Sequence, residues 1–140
     1  MITSARNTIY GTINAINKGA INSEISLDIG EQNLSVIITN ESVVAMDCKL
    51  GEEAYALIKS SAIILSKEKP YRISARNILK LKVSDVKVGA VNVEVLMQSS
   101  NNNTIVAQVT EESSEKLDIK IGDEIFAIIK ASQVILGMSS

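Results

Sequence analysis

Histidine and tryptophan are absent from the 140 residues, and cysteine and proline occur once each. Without histidine there can be no Ser-His-Asp triad and no imidazole base, and one thiol cannot form a disulfide within the chain. Zinc or haem would find almost no nitrogen or sulfur ligands. One Phe and three Tyr are too few for a surface that stacks nucleic-acid bases. Lys plus Arg number 14 against 16 Asp plus Glu, and a net charge of -2 offers no general attraction to nucleic acid or to an anionic membrane. The longest apolar runs, such as Ala62 to Leu65 and Ile125 to Ile129, are far too short to span a bilayer. The opening residues, Met1 to Asn7, lack the basic-then-apolar pattern of a secretory leader, so a cytoplasmic protein is expected. What is abundant is aliphatic: hydrophobic residues make up 46% of the chain, dominated by isoleucine and valine, whose branched side chains favour strands.

The chain repeats itself. Ser4-Ala5-Arg6-Asn7 returns as Ser74-Ala75-Arg76-Asn77, and Gly19-Ala20-Ile21-Asn22-Ser23-Glu24-Ile25 returns as Gly89-Ala90-Val91-Asn92-Val93-Glu94-Val95, both at an offset of 70. One residue is then added between Val95 and Val109. At the new offset of 71, Ile38-Thr39-Asn40-Glu41-Ser42 matches Val109-Thr110-Glu111-Glu112-Ser113, and Ala56 to Ser61 matches Ala127 to Ser132. Colinearity on this scale marks a duplicated unit. The charged link Ser66-Lys67-Glu68-Lys69-Pro70-Tyr71-Arg72 separates the copies, giving repeats at 1–68 and 69–140.

Turn residues divide the first repeat into strands at Asn7 to Ile16, Ile21 to Ile29, Leu34 to Thr39, Ala54 to Lys59 and Ala62 to Leu65. A short helix fits Glu41 to Asp47. Five strands with a helix between the third and fourth is the element order of an OB-like barrel. The expected fold is therefore all-β, two tandem OB-like five-stranded barrels, each with one short helix. Barrels this small bury little area, so association of copies or chains is expected.

Several polar residues recur where no core needs them. Thr39 and Ser42, with Thr110 and Ser113, stand where a strand turns into a helix. They can cap the helix or offer hydroxyls to an anion beside unpaired N–H groups. Lys59 and Lys130 interrupt aliphatic strands, and Ser4 with Arg6 and Ser74 with Arg76 lead into the first strands. The set is rich in neutral donors and poor in cations, which suits a compact tetrahedral oxyanion better than a polyanion. A phosphate-binding glycine loop is absent.

Taken together, Ser-Ala-Arg-Asn, Gly-Ala-(Ile/Val)-Asn-x-Glu-(Ile/Val), Thr-x-x-Ser and Lys-(Ala/Ser)-Ser, all twice and in order, resemble the molbindin (Mop, or TOBE) family over essentially the whole chain. The tandem length resembles its di-Mop type. This resemblance implies a cytoplasmic, non-enzymatic protein that binds molybdate or tungstate between repeats, in assemblies of six repeats, hence a homotrimer. It implies a main site drawn from Ser4, Arg6, Thr39, Ser42, Lys59 and Ser60, and from Ser74, Arg76, Thr110, Ser113, Lys130 and Ala131. Each site would mix two copies, with main-chain N–H groups acting at Arg6, Arg76, Ser60 and Ala131. Two readings of the Gly-Ala-(Ile/Val)-Asn turns stay open: a second site at subunit contacts using Lys18, Gly19, Asn22, Lys87, Gly89 and Asn92, and an ordinary reverse turn. No cofactor, metal, nucleic acid or membrane is implied.

The copies differ. Gly11 is Leu81 in the second repeat, Lys18 is Val88, and Ser60 stands where Ala131 does, so unequal binding is expected. Cys48 and Met46 align with Ile119 and Leu117, which predicts core positions. Storage of the anion competes with a sensory module acting through a protein partner. An oligonucleotide-binding OB domain fits less well, because Tyr10, Tyr55, Tyr71 and Phe126 are few and the charge is unfavourable. An enzyme fits least, because no base or nucleophile pair recurs.

Overall fold

The computed structural model describes residues 3–5 and 7–139. In the first repeat β1 (Asn7–Lys18), β2 (Asn22–Asp28) and β3 (Asn33–Thr39) precede α1 (Asn40–Ala45), β4 (Glu53–Ile58) and β5 (Ile63–Ser66). The second repeats this order as β6 (Asn77–Val88), β7 (Asn92–Gln98), β8 (Thr104–Thr110), α2 (Glu111–Leu117), β9 (Glu124–Ile129) and β10 (Ile135–Met138). The fold is all-β, with two five-stranded half-barrel sheets and two short helices, as the element order predicted.

Period-two alternation places the core. In β2, Ser23, Ile25 and Leu27 point inward while Asn22 and Asp28 are exposed. Ile9, Ile13, Leu34, Val36 and Ile58 join them, matched by Leu79, Val83, Ile105, Ala107 and Ile129 in the second repeat. Cys48 belongs to this cluster and Met46 packs against it. Burial raises the Cys48 thiol above its ordinary range, with smaller contributions from Glu52 and Asp47. The first strand of each repeat has a bulge, between Ile13 and Ala15 and between Val83 and Asp85. The bend lets one long strand pair with β4 along its first half and β2 along its second.

The last strands are exchanged between the repeats. The sheet orders are β10-β4-β1-β2-β3 and β5-β9-β6-β7-β8. Each repeat thus gives its final strand to the other, and the sheet boundaries do not coincide with the sequence division at 68/69. The cause is local. After β4 the chain makes a 3-10 turn over Ser60–Ala62, with no glycine and no positive φ in the segment. A tight hairpin back onto β4 would ordinarily need positive φ. The segment Ala131–Gln133 does the same before β10.

Candidate functional site

The exchange brings the two repeats' polar residues together. The edge strand of the first sheet, β3, has its Ser35 main chain clasped by Asn77 of the second repeat. The Ser35 N–H donates to Asn77 Oδ1 at 2.7 Å, and Asn77 Nδ2 donates to the Ser35 carbonyl at 2.8 Å. Asn7 clasps Val106 on edge strand β8 in the same way, at 2.7 and 2.8 Å, and also donates to the Ile58 carbonyl at 3.2 Å. Both asparagines are almost fully buried. They cover sheet edges that would otherwise leave main-chain groups unpaired.

One residue back, Arg76 Nε lies 3.2 Å from Glu24 Oε2. Glu24 sits opposite Ile37 in the β2–β3 ladder, and Asn22 sits opposite Thr39. Passing from Asn77 to Arg76 therefore moves from the Ser35 rung to the Ile37 rung, toward Thr39. The 3-10 turn holding Ala131 also packs on β3. On the other side, the turn holding Ser60 packs on β8, with Ser60 Oγ 3.5 Å from Gln108 Oε1, two residues before Thr110. Arg76 and Ala131 of the second repeat thus lie against the β2–β3 edge that ends at Thr39 and leads into α1, which carries Ser42. Ser60 of the first repeat lies against β8, which ends at Thr110 and leads into α2, which carries Ser113. Ser4 is exposed, and Arg6 lies outside the described residues.

The Thr-x-x-Ser pairs cap their helices, the structural one of their two expected roles. Thr39 Oγ1 accepts from the Ser42 N–H at 3.1 Å and donates to Ser42 Oγ at 2.8 Å. Thr110 and Ser113 do likewise at 3.1 and 2.9 Å. With the threonine proton donated inside the cap, the serine hydroxyl keeps its own proton to donate. Lys59 and Lys130 are exposed and pair with no carboxylate among the described residues. Ser60 and Ala131 are buried, and the first N–H groups of a 3-10 turn have no partner within it. Each arrangement therefore offers an ammonium, hydroxyls and main-chain N–H groups.

The Gly-Ala-(Ile/Val)-Asn segments are reverse turns, with the Gly19 and Gly89 N–H groups donating to the Asn22 and Asn92 carbonyls, each at 2.8 Å. Lys18 and Lys87 are exposed on the strands that enter them. No group of three or more acidic or cysteine side chains that could hold a metal occurs among the described residues. A groove of about 1100 Å³, lined by Gln32 of the first repeat and by Lys80, Lys82, Ser84, Gln98 and Ser99 of the second, contains none of the candidate residues. Sequence reasoning assigned no role to Asn7, Asn77 or Glu24. The signal was present, since each recurs in a repeated motif, but their partners lie in the other repeat.

The TOBE domain model matches residues 3–65 and 73–136. The molybdenum-pterin-binding protein MopA of Rhodobacter capsulatus is 37% identical over 140 residues, covering 99% of this chain and 53% of its own. The molybdenum transport protein ModE of Azotobacter vinelandii is 32% identical over 139 residues, covering 99% of this chain and 52% of its own. The chain thus spans about half the length of these curated relatives. The molybdate-bound structure of the cytoplasmic molybdate-binding protein ModG superimposes with a TM-score of 0.94 at 38% identity, covering 99% of both chains. With a model match in each half, relatives along its whole length and a shared tandem architecture, this chain belongs to the TOBE domain family, as two tandem repeats of the molbindin type.

Proposed function

We propose that this chain binds molybdate or tungstate, without catalysis, as a cytoplasmic store or buffer. The observation that carries the reading is the packing of each repeat's lysine-led 3-10 turn on the other repeat's strand that runs into the capped Thr-x-x-Ser, in a fold shared at 38% identity with a molybdate-bound protein. The donors are mostly neutral, so a shaped pocket selects the anion by size and geometry instead of by a diffuse field.

The assembly belongs to the same proposal: a homotrimer, with anion sites at contacts between repeats. Its support is apolar surface exposed at equivalent places in both copies, Ile21 with Val91, Leu50 with Ile121, and Ile64 with Ile135. Soluble chains seldom leave such surface uncovered. The Gly19 and Gly89 turns, carrying Ile21 and Val91 at their tips, are the proposed place of the second class of site. A second reading is an anion-sensing regulatory module acting through a protein partner, favoured by the match to half the length of a DNA-binding transcriptional regulator, ModE of Escherichia coli. A partner captured only when anion is present would support it over storage.

Isothermal titration of the purified chain with molybdate, tungstate, sulfate and phosphate tests the main reading. Molybdate and tungstate are expected to bind tightly and sulfate weakly. Equal competition by sulfate at matched concentration would reduce the site to a generic anion pocket.

A further inference from the structure

We propose that Asn77 and Asn7 are positioning residues, each holding one anion site across the repeat boundary. The inference rests on the function proposed above and adds which residues set the geometry of which site. Asn77 uses both ends of its amide on one residue, Ser35, at 2.7 and 2.8 Å, and is 2% exposed. A bidentate, buried amide locks distance and direction together, as a single surface contact does not. It fixes where the segment beginning at Ser74 lies along β3, and Arg76 extends that segment over the strand to Glu24. Main-chain N–H groups cannot rotate toward a ligand as a lysine can, so their placement depends on such a clamp. Asn7 does for β8 and Thr110 what Asn77 does for β3 and Thr39.

The clamps are separate, so their loss is site-specific. In a molybdate titration of the full chain, Asn77→Ala is expected to weaken on the order of half the binding events by about tenfold, through donors no longer held in place. The other half should keep parent affinity. Adding Ser42→Ala should weaken that same half further and leave the other half at parent affinity, whereas adding Ser113→Ala should weaken the remaining half. A general loss of stability would weaken all events together, and that result, or no change, overturns the proposal. If circular dichroism shows Asn77→Ala unfolded, Glu24→Gln decides from the surface. Loss of the Arg76 tether is expected to weaken the same half by about twofold to fivefold. Unchanged affinity, or a rise from removing a negative charge, would show that Glu24 positions nothing and overturn the clamp. A parent chain that takes up no molybdate would sink the underlying reading and the clamp with it.

Discussion

The two repeats have the same elements in the same order and the same reciprocal clamp, yet they close their barrels differently. At Gly11 a side chain has no room: a Cβ there would lie 2.7 Å from the Asp28 carbonyl oxygen. The equivalent Leu81 is 3% exposed and fills the corresponding place with its own side chain. At the helix starts, Asn40 accepts from the Ser23 hydroxyl and donates to the Gly19 carbonyl, tying turn to helix. The second repeat has Glu111 and Val93 at these positions and cannot make that link. Its helix carries Glu111 and Glu112 in the first turn where α1 carries only Glu41. The comparison teaches that strand register and core volume were held through duplication, while the polar surroundings of the two sites diverged.

Exchanging the closing residues should break the symmetry most. Leu81→Gly is expected to cost roughly 2–5 kcal/mol through the cavity it leaves, and Gly11→Leu about 1–3 kcal/mol through overpacking, both read by urea denaturation. If both variants matched the parent, the two closures would be interchangeable and the contrast false. The next effect concerns what the repeats share. Light scattering should report three times 15.1 kDa, and molybdate at a hundredfold above its dissociation constant should add about 2.7 kcal/mol of stability. A monomer that keeps full affinity on dilution contradicts the shared-site assembly.

Lys59→Ala and Lys130→Ala sharpen the comparison at the sites themselves. Each should lose about 2 kcal/mol of binding through a missing charge-assisted bond, with the melting temperature of the unliganded chain unchanged. Parent-like titrations from both would mark these lysines as solvated strand ends. The smallest effect is expected from Ser60→Ala, which copies Ala131 into the first repeat. If the main-chain N–H is the donor, affinity should change by no more than about twofold. A larger loss would give the Ser60 hydroxyl a direct part and make the two sites chemically unlike.

Much of this was legible in the residues. The isoleucine and valine alternation, the turns at Asn17 to Gly19 and Gly30 to Asn33, and the offset of 70 becoming 71 were enough for ten strands and two helices in order. Thr39, Ser42 and Lys59 stood out because they recur where no core requires them. Asn7 and Asn77 did not, although they are as buried as the isoleucines around them. A buried amide at a strand start looks like any polar residue until its partner is known, and Ser35 and Val106 lie 42 and 99 residues away.

Local sequence determined the elements, because side-chain branching, period-two burial and turn chemistry act over a few residues. It also determined the donor types and their number, since duplication wrote them twice. Only the tertiary structure decided that β5 pairs with β9 and β10 with β4, and hence which repeat's 3-10 turn packs on which repeat's third strand. Both copies have nearly the same strand-edge pattern, so either final strand satisfies either sheet by sequence alone. The choice was made by the direction in which a glycine-free 3-10 turn sends the chain, and by two buried asparagines that fit only when the repeats lie edge to edge.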